Sequence, residues 1–189
     1  MTILLIAGSP TIPSRSTRLL HHIGETLVQR GHRTERLQIR DLPAQALLHA
    51  DFCDIDIQVA RAQLAQAEAV VIATPIYKAS FSGVLKLFLD VLPQDGLADK
   101  LVLPLATGGS QSHMLALDYA LRPVLQALAA RYILPSIYAT DAQVLWTPDT
   151  GLVLDPAIAL RVADGVANLS QSLLQRHEMQ RCRPISLAL

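Results

Sequence analysis

The chain has 189 residues, which at roughly 100 to 200 residues per domain is most simply one domain. Sixteen basic and sixteen acidic side chains leave no net charge, so no global field recruits nucleic acid or an acidic membrane surface, and a charged ligand must be gripped locally. Hydrophobic residues make up 51% of the chain and charged residues 17%, but the apolar excess is scattered over short runs such as LVLPLA, too short to cross a bilayer.

The first apolar run, TILLIA, has no basic segment before it and leads into a loop and a helical pattern, so it reads as a core strand rather than a signal peptide. A cytoplasmic location is the expectation. Cys53 and Cys182 lie far apart, outside any CxxC pairing or zinc spacing, and reduced thiols are expected. His21 and His22 adjoin, but neighbours on a helix project to different faces, so no metal site is expected.

In chain order, five strands are predicted: TILLIA, RTERLQI, AVVIAT, KLVLPLAT and ILPSIYAT. Helices are predicted over about 16–30, 56–67, 82–92, 112–130 and 155–177. Unbroken hydrophobicity in strands one, three and four implies burial on both faces, as in a parallel sheet covered by helices. The alternation predicts a doubly wound α/β domain over 1–178, with a five-stranded parallel sheet in the order 2-1-3-4-5. Residues 179–189 form a tail expected to be disordered or to pack on a neighbouring subunit. In such a sheet ligands bind outside the carboxyl ends of the strands, so the loops after strands one, three and four carry the site.

The loop after strand one, GSPTIPSRST, looks like a phosphate loop but lacks the Gly-Lys-Ser/Thr ending of a triphosphate site. Ser9, Ser14, Ser16 and Thr17 supply hydroxyls beside the free amides that open the first helix, and Arg15 adds a charge. Such a set suits a single terminal phosphate without magnesium; equally, these are ordinary cap and turn residues. The segment after strand three, TPIYKASFSG, offers a restraining Pro75, a flat Tyr77, and Gly83 for close backbone approach. The third loop, ATGGSQSH, has Gly108 and Gly109 between Thr107 and Ser110, open enough for a planar ring. Three small-residue loops at one sheet edge predict a concave site.

In HMLALDYALRPVLQALAA, Pro123 sits mid-helix, where its absent N–H leaves the Tyr119 carbonyl without its usual donor. A π-bulge, with the Val124 N–H bonding Tyr119, resolves this; a plain proline kink is the alternative. The helix is apolar around much of its circumference, through Leu115, Leu121, Val124, Leu125 and Leu128, so a second face is expected to be buried against another subunit.

AGSPTIPSRSTRLL, ATPIYKASFSGVLKLFLD, LPLATGGS and LDYALRPVL together resemble the flavodoxin-like NADPH-dependent FMN reductases, most closely the reductase component of two-component alkanesulfonate monooxygenase systems. The likeness covers about residues 1–145 and fades beyond Trp146. It implies FMN and NADPH as cofactors and hydride transfer between them, with reduced flavin passed to a flavin-dependent monooxygenase. It places the FMN phosphate on Ser9, Ser14, Arg15, Ser16 and Thr17. The ring would lie along Pro75, Ile76, Tyr77, Lys78 and Ala79, closed by Thr107, Gly108 and Gly109. Thr11 stands where many relatives carry arginine, which shifts the phosphate grip toward Arg15. Lys78 is either a stabiliser of reduced flavin or a solvated loop residue. No catalytic acid or base is required, because the cofactors carry the reactive centres. The resemblance also implies a homodimer or homotetramer, with Tyr119 as an inserted aromatic at the interface. Two other functions fit the same fold: a flavoprotein holding FMN tightly and reducing quinones, azo compounds or metal oxyanions, and a flavodoxin-like electron carrier. The zero net charge argues against the carrier.

Overall fold

A computed structural model of the protein describes residues 1–181. Strand β1 (Thr2–Ala7) leads to α1 (Arg15–Gln29), β2 (Arg33–Gln38), a short α2 (Ala44–Leu48) and α3 (Ile55–Gln66). Next come β3 (Ala69–Tyr77), β4 (Ser80–Phe81), α4 (Gly83–Asp90) and β5 (Leu101–Gly108). A π-helical turn (Leu117–Leu121) runs into α5 (Arg122–Ala127), followed by β6 (Tyr132–Ile133), β7 (Ile137–Thr140), β8 (Val144–Thr147), β9 (Gly151–Leu154) and α6 (Pro156–Arg181).

The main sheet has the order β2-β1-β3-β5-β6, with β7 also on β5, and these pairings are all parallel. This is the expected flavodoxin-like order, with the fifth predicted strand divided into β6 and β7. The division has a covalent cause. Val102 accepts a bond from the Leu134 N–H, so alternate residues of β5 face that neighbour; the next of them, Pro104, has no N–H to give, and Pro135 lies in the facing gap. Pro75 is tolerated late in β3 for a related reason: Ala73, two residues earlier, accepts the Gly8 N–H, and β1 has ended before Pro75 would need to donate to it.

Side-chain alternation sends Leu4, Ile6, Val70, Ile72 and Val102 to one face, where Ile57, Leu64, Leu85, Phe88 and Leu125 of the helices cover them. Ile3, Leu5, Val71 and Leu103 point to the other, under Leu19, Ile23 and Leu27 of α1 and Ile158, Val162, Val166 and Leu169 of α6. Each such buried aliphatic side chain contributes about 1.5–3 kcal/mol of transfer free energy, so the two-sided core holds the strand ends in register.

Three elements differ from expectation. Predicted helix 112–130 is broken into a 3₁₀ turn (Gln111–His113), the π turn and α5. Residues 144–154 form an unpredicted β8–β9 hairpin, and 44–48 an unpredicted helix. Helix α6 runs three residues past the expected domain end at 178, and 182–189 of the proposed tail lie outside the described residues, as does Cys182. Cys53 is a free thiol.

Gly83 does not serve close packing: a Cβ built there has nothing within 4 Å. Gly83→Ala is therefore expected to stabilise the protein by about 0.5 kcal/mol, through helix propensity and a less flexible unfolded chain, measured as a raised urea midpoint. Gly24 is the opposite case. Its Cβ would fall 2.4 Å from Leu5 Cδ1 in the core, so alanine there should cost about 1–3 kcal/mol by overpacking.

Candidate active site at the carboxyl edge of the sheet

The strand ends are level: Ala7 pairs with Ala73, Ala73 with Leu105, Pro75 with Thr107, and Gly108 with Thr140. The loops after β1, β3, β5 and β7 therefore leave one edge together, on both sides of the switch between β1 and β3.

The first loop is tied down at its root. The Gly8 N–H donates to the Ala73 carbonyl at 2.7 Å, and a Cβ on Gly8 would sit 3.0 Å from both that oxygen and Leu85 Cβ. Only glycine fits there without displacement. Buried Ser82 donates through its hydroxyl to the Gly8 carbonyl and accepts the Leu85 N–H at 3.3 Å as the N-cap of α4. Its own N–H donates to Thr74 Oγ1 at 3.0 Å, and that hydroxyl donates to the Pro75 carbonyl at 2.9 Å.

Above this root stand the hydroxyls. Ser14 caps α1, accepting the Thr17 N–H at 3.2 Å, and its Oγ lies 3.0 Å from Ser16 Oγ. Ser9 Oγ is 3.4 Å from Thr11 Oγ1 and accepts weakly from the Thr11 N–H. Ser9, Ser16 and Thr17 are buried, and Thr17 Oγ1 is out of contact with solvent and has no hydrogen-bond partner among the described residues. Buried hydroxyls beside the unpaired amides of a 15-residue helix with no acidic side chain in its first turn are suited in charge and hydrogen bonding to an anion.

The basic residues are arranged differently from the sequence reading. Arg15 is half-exposed, with Nη1 3.8 Å from the Asp141 carboxylate. Arg40, which the sequence reading passed over, braces the loop by donating from Nη1 to the Thr11 carbonyl at 2.8 Å. It follows the carboxyl end of β2, the strand beside β1, so the predicted strand order alone places position 40 near this edge.

The expected ring-binding segment is a hairpin rather than a loop. β3 continues to Tyr77, Ile76 pairs with Phe81 and Tyr77 with Ser80, leaving Lys78 and Ala79 as a two-residue turn. Their φ angles of 49° and 64° are those of a type I′ turn, which glycine and asparagine favour and these residues adopt only under strain. The Tyr119 hydroxyl donates to the Ala79 carbonyl at 2.6 Å, fastening this turn to the π-helical segment. Lys78 is exposed at the tip.

Tyr119 is the central residue of the π turn, whose Arg122 N–H bonds the Leu117 carbonyl, two residues earlier than the expected Val124–Tyr119 bond. The wide turn brings Pro123 into the first turn of α5, where a missing N–H matters little.

Thr107 and Gly108 belong to β5 and are buried, not displayed on a loop. A Cβ on Gly108 would meet Tyr138 Oη at 2.6 Å and Ile76 Cβ at 3.3 Å, whereas one on Gly109 would meet nothing within 4 Å. Only Gly109 presents open backbone. Burial, and then the charge of Asp141, push the Tyr138 phenol upward, keeping it a donor to the Ser110 carbonyl at 2.5 Å.

Beyond this edge the β8–β9 hairpin stands against α1. The Arg18 guanidinium lies 3.8 Å from the centre of the Trp146 ring. A groove of about 280 Å3 opens there, lined by Pro13, Arg15, Arg18, Leu145 and Trp146 among others.

Buried hydroxyls at the start of α1 and open backbone at Gly109 thus lie along the edge of a doubly wound sheet where ligands bind in such folds. Residues 1–144 match the family model of NADPH-dependent FMN reductases. The chain belongs to the NADPH-dependent FMN reductase family. It is 45% identical to an FMN reductase (NADPH) of Pseudomonas putida, over 93% of this chain and 90% of that one. It is 42% identical to an FMN reductase (NADPH) of Escherichia coli, over 84% and 86%. A crystal structure of the apo form of an NADH:FMN oxidoreductase, EMOB, superposes with a TM-score of 0.83 at 35% identity, covering 90% of this chain and 89% of that one. This FMN reductase is an oxidoreductase whose cofactors are FMN and a reduced nicotinamide nucleotide. The hydroxyl cradle fits FMN: the buried, unpartnered Thr17 hydroxyl and the free α1 amides suit one phosphate. Among the described residues no helix is long and apolar enough to cross a membrane, and no group of three or more His, Cys, Asp or Glu is placed to hold a metal ion.

Proposed function

We propose that this FMN reductase takes electrons from NADPH, reduces FMN at the carboxyl edge of its sheet, and supplies reduced flavin to a flavin-dependent monooxygenase of alkanesulfonate desulfonation. The observation that carries the reading is the buried phosphate cradle after β1, with its orphan Thr17 hydroxyl, set beside a ring site that is open at Gly109. Bound FMN supplies the electron-accepting chemistry.

The chain's residues bind and orient. Ser9, Ser14, Ser16 and Thr17 take the phosphate, with Arg15 contributing long-range charge from its position beside Asp141. Pro75, Ile76, Tyr77, Lys78 and Ala79 form one wall for the ring, made rigid by the Tyr119 bond to the turn. Gly109 bounds the other, with Thr107 and Gly108 buried behind it at the end of β5. Of the two aromatics on the hairpin, Phe81 packs against the core and Tyr77 is half-exposed, so one aromatic face of this wall is open to the ring, a set of contacts suited to release of flavin after reduction. Half-exposed Met114 and Leu115, just before the π-helical turn, and Tyr119 within it give an apolar face for a second copy, in a homodimer or homotetramer acting in the cytoplasm.

Steady-state oxidation of NADPH and NADH with FMN, FAD and riboflavin tests this reading. Rapid turnover with FMN and little with riboflavin is expected. A protein that stays yellow through dilution and turns over quinones instead would overturn release. A monomeric mass at micromolar concentration would overturn the assembly.

A further inference from the structure

We propose that the groove between α1 and the β8–β9 hairpin is the site for the adenosine 2′-phosphate half of NADPH, and that Arg18, Trp146 and Arg15 set the preference for NADPH over NADH. The inference rests on the reductase reading and adds the residues that recognise the second nucleotide.

Three observations converge. First, position: the groove has Pro13 and Arg15 in its wall, so it adjoins the flavin phosphate loop, and the long dinucleotide can extend from the ring site into it. Second, charge: Arg15 and Arg18 lie three residues apart on α1 and so project to one side of the helix. The carboxylate paired with them is Asp141, 3.8 Å from Arg15 and about half-exposed, which leaves the two guanidiniums with one positive charge in excess. Third, stacking: the guanidinium of Arg18 is stacked on one face of Trp146, and 42% of the tryptophan is still exposed, so the planar pair offers adenine a surface to extend the stack.

An apolar peptide would have no use for two guanidiniums, and inorganic phosphate none for the indole. A purine nucleotide bearing a phosphate uses both. Relatives named NADH-dependent FMN reductases match this chain at 32% identity, so the preference is set by side chains, not by the fold. Trp146 lies just past the family match, which ends at residue 144.

Trp146 is the single tryptophan of the chain, so its fluorescence reports occupancy directly. Adenosine 2′,5′-bisphosphate should change that fluorescence saturably, and adenosine 5′-monophosphate should bind about tenfold more weakly, because only the former carries the 2′-phosphate that the guanidiniums bond. Arg18→Gln should weaken the bisphosphate about tenfold and lower the ratio of kcat/KM for NADPH over NADH by a similar factor. Asp141→Asn, which frees Arg15, should tighten the bisphosphate about threefold; a merely structural role for the ion pair would not produce tightening. Equal affinity for the two adenosine nucleotides, no tryptophan response, or weakening by Asp141→Asn overturns the proposal. FMN reduction that persists while the bisphosphate fails to bind sinks this site and spares the reductase reading. Bisphosphate binding without any FMN reduction does the reverse.

Discussion

Ser82→Ala is expected to lower global stability by about 3 kcal/mol and to weaken FMN binding with it. One buried hydroxyl serves two elements: it donates to the Gly8 carbonyl at the root of the loop after β1 and accepts the Leu85 amide in the first turn of α4. Loss of an N-cap costs about 0.5–2 kcal/mol, and an unsatisfied buried carbonyl a further 1–3 kcal/mol. Water cannot readily substitute, because Ser82 is 1% exposed and the Gly8 backbone is pressed against Ala73 and Leu85. A urea midpoint lowered without a change of slope is the expected signature. A loss under about 1 kcal/mol would mean that Gly8 finds another donor, and the link between α4 and the loop would be incidental.

Thr17→Val is expected to act with opposite signs on folding and on flavin. The Thr17 hydroxyl is buried without a partner among the described residues, so removing it should raise the stability of the flavin-free protein by about 1 kcal/mol, a rise of about 2–4 °C in Tm for a chain of this size. Valine keeps the branched shape and the side chain's contacts. The same change removes a donor to the phosphate, so FMN affinity should fall about tenfold, while riboflavin, which has no phosphate, should be unaffected. Thermal melting of the flavin-free protein and kinetics with both flavins measure the two halves. Equal losses for FMN and riboflavin would make Thr17 a helix-turn residue and nothing more.

The parts of the site that were legible in advance are those written in local chemistry. Ser14 as a helix cap, Gly8 as a tight root, and Gly109 as open backbone follow from residue type and place in a β/α alternation, and the structure puts them at one edge. The partner of Arg15 could not be read in advance, because charge in a sequence has no direction: its side chain pairs with Asp141, 126 positions away in number and adjacent only once β7 lies beside β5. Arg40 and Ser82 were passed over because their bonds to the loop join residues far apart in the chain, which meet only once β1, β2 and β3 align; Thr74 was passed over although its bonds, from the Ser82 N–H and to the Pro75 carbonyl, are local. The hairpin at Lys78–Ala79 carries no glycine or asparagine, so its turn left no local mark; Tyr119, about 40 residues later, helps hold it.

By itself the sequence determined the doubly wound parallel sheet, its order and the edge at which the loops after β1, β3 and β5 emerge together, because two-sided burial and helical period are properties of neighbours along the chain. The wide turn at Tyr119 was foreshadowed in the same way, by a proline that could not donate where a helix required it. The tertiary structure alone decided which side chains meet at that edge. The bonds of Ser82 to Gly8 and of Tyr119 to Ala79, and the stacking of Arg18 on Trp146, join residues distant in the chain, and their geometry depends on how the packed core sets strands and helices against one another.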